Sequence, residues 1–87
     1  MSCFRLKSQS EVLDYVEDWA TWLGADTISS SAWSVTGGLV VDTETNTTTT
    51  ATVWLSGGTF GATGEAINTI VTAGGRTATS ILTVMVI

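Results

Sequence analysis

The 87-residue chain has no histidine, no proline, a single cysteine and only three basic residues, Arg5, Lys7 and Arg76. Each scarcity excludes something. Without histidine, the commonest general base and metal ligand are missing. The many Ser and Thr hydroxyls have no imidazole to activate them, and no lysine is placed to replace it. Cys3, alone, builds neither an intrachain disulfide nor a thiolate zinc site. Three cations against eight carboxylates give a net charge of −5 with no basic stripe, which argues against nucleic acid and anionic membranes as partners. No run of about 18 apolar residues exists to span a bilayer. Residues 1–10 lack the apolar core of a signal peptide, so a soluble chain made in the cytoplasm is expected. The glycine pairs fall between strand-like segments rather than before a helix with a lysine, so no phosphate loop is implied. We expect no enzyme activity, no metal and no cofactor.

What is present is apolar: 44% hydrophobic residues against 13% charged. The length suits one domain. A domain this small buries only about 60–65% of its unfolded surface, and a weakly charged one often completes its burial against a partner. Residues 1–10 read as an N-terminal arm, with Phe4 and Leu6 alternating, and residues 11–87 as the domain. Val12, Tyr15, Val16 and Trp19 follow helical spacing, Ser8 and Glu11 match a capping box, and Gly24 supplies a stop, so residues 11–24 read locally as a helix.

The rest reads as strand. Ile28, Trp33 and Val35 anchor a Ser/Thr-rich segment before the Gly37-Gly38 turn. Leu39-Val40-Val41 forms a short strand ending near Asp42. Ala51, Val53 and Leu55 alternate with Thr52, Trp54 and Ser56. Ala66, Asn68, Ile70 and Thr72 alternate with Ile67, Thr69 and Val71, and a hairpin at Ala73-Gly74-Gly75-Arg76 leads to Leu82, Val84 and Val86. Short strands separated by turn signals make an all-β chain, a small β-sandwich.

Four features stand out as candidate sites. Asp14, Glu17, Asp18 and Asp26 cluster around tryptophans; a calcium site or a carboxylate pair competes with a solvated acidic edge, and the spacing fits no EF-hand loop. Trp19, Trp22, Trp33 and Trp54 either fill the core or present stacking and interface surfaces, and Trp54 lies opposite in phase to Val53 and Leu55. Asn68 is in phase with the inward face, where its amide needs hydrogen-bond partners. Ile81, Met85 and Ile87 make the last strand apolar on its outer side too, so that side is covered by the arm or contacts a partner.

The order of Asp14-Tyr15, Asp18-Trp19, Trp22-Leu23, Asp26-Thr27-Ile28, Trp33, Val53-Trp54-Leu55-Ser56-Gly57-Gly58, Asn68 and Gly75-Arg76-Thr77 resembles a family of tailed-bacteriophage fiber-tail adaptor proteins over residues 11–86. The chain departs from the expected pattern at Ala78, Ile81 and Met85, where polar outer positions are anticipated. The resemblance implies an immunoglobulin-like β-sandwich of about seven short strands with an extended N-terminal arm. It also implies that residues 14–19 are extended, running into a turn over residues 20–26 where Trp22 and Leu23 plug the end of the core. On this reading the core holds Tyr15, Trp19, Trp22, Trp33, Val53, Leu55, Asn68, Ile70, Leu82 and Val84. Phe4, Leu6, Trp54, Ile81, Met85 and Ile87 form the partner interface. The implied role is a non-enzymatic virion protein at the tail or neck, in a symmetric ring or multiple copies, connecting tail, connector or fiber proteins. A glycan-binding β-sandwich module and a capsid decoration protein remain the alternatives.

Overall fold

The computed structural model describes residues 2–87; the first residue of the expected arm lies outside them. Seven strands and one helical turn follow in the order β1 (Ser2–Lys7), β2 (Leu13–Asp18), α1 (Ala20–Leu23), β3 (Ile28–Val35), β4 (Leu39–Asn46), β5 (Thr50–Gly57), β6 (Thr63–Thr72) and β7 (Thr77–Val86). They form two sheets, β1-β7-β6-β3 and β2-β5-β4. Every pairing is antiparallel except β1 with β7. Lettered A to G in chain order, the sheets read A-G-F-C and B-E-D. That is the seven-stranded immunoglobulin-like arrangement with its first strand moved from the edge of B to the edge of G.

Alternation in the sequence sets the two layers. Ala51, Val53 and Leu55 of β5 face Ala66, Ile70, Leu82, Val84 and Val86 of β6 and β7, all buried. The core divides into two adjoining clusters, one around Tyr15, Leu39, Val53, Leu55, Leu82 and Val84, the other around Trp19, Leu23, Ile28 and Ile70; Trp33, partly buried, packs against both.

Residues 11–24 are not the helix that their local pattern suggests. Leu13–Asp18 is extended and pairs along β5, and only Ala20–Leu23 turns helically. Of the two capping-box bonds one forms, Ser8 N donating to Glu11 Oε1 at 2.7 Å, while Glu11 N donates to the backbone Ser8 O at 3.1 Å rather than to the Ser8 side chain. These close an isolated turn before β2. Local spacing loses because an extended segment satisfies one whole edge of β5 and places Tyr15 and Trp19 in the core, which a short amphipathic helix would not do. β4 also runs beyond Asp42, through an irregularity between Val41 and Thr43, to Asn46.

One further correction concerns Trp22. It remains 38% exposed, while Leu23 is buried and plugs that end of the core. Trp22 instead stands edge-on to Trp19, with ring centroids 5.3 Å apart, because a single helical turn directs neighbouring side chains to different sides.

The crossover from β3 to β4 depends on close backbone approach. Gly37 has φ +70°, and a Cβ there would lie 2.6 Å from Gly64 Cα. Gly37→Ala is therefore expected to lower the unfolding free energy by about 1–3 kcal/mol, from the left-handed conformation and the steric conflict together. Urea unfolding measures it, and a midpoint equal to that of the parent protein would refute the close approach.

Candidate interaction surface

The outer face of the four-stranded sheet is built from both ends of the chain. In the parallel β1–β7 register, Phe4 lies beside Thr83 and Leu6 beside Met85, and Ile67 of β6 pairs with Ile81. Phe4, Leu6, Ile81, Met85 and Ile87 are exposed there, with Ile67 half-buried among them and Val71 exposed further along β6. Among the described residues, Glu65 is the one ionisable side chain that alternation places on this face.

β1 has an inverted pattern for an edge strand. Its apolar residues point outward, whereas Lys7 is fully buried. The Lys7 ammonium donates to Gly57 O at 2.7 Å and Ser8 O at 3.0 Å, and Ile87 N donates to Lys7 O at 2.8 Å. Burying a cation requires strong hydrogen bonding, and these bonds fix β1 beside β7. The N-terminal segment thus lies next to the outer apolar positions of β7 and enlarges the patch rather than covering it.

Five of the six expected interface residues meet on this face, and Trp54 does not. Trp54 is 42% exposed on the outer face of the other sheet, between Asp14 on β2 and Thr43 on β4. That face carries Asp14, Asp18 and Asp42, the last accepting a hydrogen bond from Ser56 Oγ at 2.8 Å. The acids that cluster in the sequence are separated in space. Asp14 and Asp18 are exposed, Glu17 accepts from Ser80 Oγ at 3.0 Å, and Asp26 pairs with Arg76 at 3.1 Å. No group of three metal-ligating side chains forms among the described residues.

Behind these faces, buried polar contacts hold the sandwich in register. Of the expected core residues, Tyr15, Trp19, Val53, Leu55, Asn68, Ile70, Leu82 and Val84 are buried. Trp19 Nε1 donates to Asn68 Oδ1 at 2.9 Å, and Asn68 Nδ2 donates to Ser31 Oγ at 2.9 Å and Ala32 O at 3.1 Å. One amide thus joins the end of β2, the middle of β6 and β3. Beside it, the Arg76 guanidinium lies 4.3 Å from the Trp22 ring centroid, bonds Leu23 O at 3.0 Å and meets Asp26. Asp26 Oδ1 also accepts from Thr27 N and Gly74 N. Hydrogen bonds from the Thr72 side chain and then from the Thr27 backbone are the main causes lowering the Asp26 pKa to about 2.

Sequence reasoning left out Lys7, Arg76 and Ile67. Ile67 was signalled by the alternation of β6. The roles of Lys7 and Arg76 carried no local signal, since Lys7 reaches 50 residues along the chain to Gly57 and Arg76 reaches 50 residues back to Asp26.

Among known families, the one described as podophage GP4 fiber-tail adaptor protein gp77 matches the chain over residues 7–85. No curated protein matches the chain.

Two outcomes test the buried contacts. Trp19→Phe keeps an aromatic ring but leaves Asn68 Oδ1 unpaired, and is expected to cost about 1–3 kcal/mol in denaturant unfolding. Because the folded-state pKa of Asp26 is depressed, its contribution is fully present above the ordinary carboxylate range and is lost as pH falls toward about 2. Asp26→Asn should therefore flatten the acid limb of a Tm-versus-pH profile below about pH 4; an unchanged limb would show that the latch carries no pH-dependent stability.

Proposed function

The chain belongs to the podophage GP4 fiber-tail adaptor protein family, and from that premise we propose that it is a non-enzymatic structural protein of the virion, joining tail proteins to fibers through repeated symmetric contacts. The observation that carries this reading is the uncovered apolar face made by β1, β7 and β6. Contiguous apolar surface of this kind on a small domain marks a site of protein contact.

The magnitudes favour many copies over one strong joint. Fully burying a large apolar side chain is worth about 1.5–3 kcal/mol. Phe4, Leu6, Ile81, Met85 and Ile87 are already about half buried, so docking all five gains roughly 4–7 kcal/mol. Association itself costs about 4–15 kcal/mol in lost rigid-body freedom and side-chain ordering. A single such contact is weak. A closed ring, or contact with neighbours on two sides, makes later contacts intramolecular and turns weak contacts into a stable assembly. The acidic opposite face disfavours packing of copies through that side and leaves it, with Trp54, for a different neighbour.

The test is incorporation into particles. Ile81→Asp together with Met85→Asp replaces outward side chains only, so the purified variant is expected to keep the parent's circular dichroism and Tm to within a few degrees. Virions assembled with it should lose the protein and the fibers. Variant virions with the parental copy number and fibers would remove this face from the assembly contacts.

A further inference from the structure

Between the two sheets is a small cavity lined by Arg5 of β1, Tyr15, Val16 and Glu17 of β2, Trp33 of β3 and Leu82 of β7. Two of these residues direct polar atoms into buried surroundings. Tyr15 Oη and Trp33 Nε1 are both buried, and neither has a hydrogen-bond partner among the described residues. Tyr15 as a whole is 8% exposed. Buried hydroxyls and indole N–H groups in native proteins are nearly always satisfied, by protein or by an ordered water. Each left unpaired costs about 1–3 kcal/mol, a large share of the stability of a domain this small.

The size of the space decides what can satisfy them. The cavity measures about 20 Å³, whereas one water needs about 10–15 Å³ of such space. That space is enough for one water. The lining chemistry agrees. Trp33 Nε1 only donates, Tyr15 Oη donates or accepts, Arg5 donates and the Glu17 carboxylate accepts. A ligand meeting both donors and an acceptor must itself donate and accept, as water does, while an anion would face Glu17.

We propose that this cavity holds one structural water, hydrogen-bonded to Tyr15 Oη and Trp33 Nε1, which joins β2 of one sheet to β3 of the other. It sits on the side of the sandwich where β1 and β2 are not hydrogen-bonded to each other, and it complements the direct Trp19–Asn68 bond further along β2.

A crystal structure of the full chain, at a resolution that orders solvent, tests this directly. The expected result is a peak within about 2.7–3.2 Å of both Tyr15 Oη and Trp33 Nε1. With a bound water, Tyr15→Phe removes one of its partners and lowers Tm by about 3–8 °C. A cavity without density, together with a Tyr15→Phe variant of equal or higher Tm, would overturn the proposal, because deleting an orphaned hydroxyl relieves a penalty instead of breaking a bond.

Discussion

The hydrogen bond from Trp19 Nε1 to Asn68 Oδ1 is the constraint around which this sandwich is arranged. In antibody domains a disulfide joins the second and sixth strands across the two sheets. Here the chain has one cysteine, and the link between the same two strands is a buried indole–amide pair. A hydrogen bond contributes about 1 kcal/mol net, against about 2–4 for a disulfide. Its larger effect is selective. Any register that separates Trp19 from Asn68 strands two buried polar groups at once, so the bond penalises wrong pairings more than it stabilises the right one.

Other contacts extend this constraint outward. Trp22 packs edge-on against Trp19, Arg76 lies over Trp22, and Asp26 binds Arg76 while accepting the backbone N–H of Gly74 in the β6–β7 hairpin. The helical turn after β2 is thereby tied to a hairpin some 50 residues later. At the opposite end of the molecule, Lys7 does comparable work by reaching Gly57 at the end of β5. With both ends secured by polar contacts, the modest apolar core is sufficient, and apolar side chains are left over for the surface.

That surplus connects structure with role. β1 places Arg5 and Lys7 at inward positions and Phe4 and Leu6 at outward ones. A strand patterned this way adds little to the core and much to the face that β7 and β6 present. A self-contained domain would gain from the opposite arrangement. The observed one suits a domain whose burial is completed by neighbours, as the adaptor family of this chain would require.

Composition and alternation by themselves determined that the chain is all β, which residues of β5, β6 and β7 point inward, that Asn68 is buried with them, and that the last strand is apolar on both sides. These follow from period-two patterning, which is a local property. The tertiary structure overrode the helical spacing of residues 11–24, where the strand that the family resemblance implied for residues 14–19 pairs along the edge of β5. It also decided that Trp22 lies at the surface, that Trp54 lies on a different sheet from the patch of Phe4, Leu6, Ile81, Met85 and Ile87, and that Lys7 and Arg76 serve as latches. Each of those outcomes depends on partners many residues distant, and spacing along the chain holds no record of which distant groups will meet.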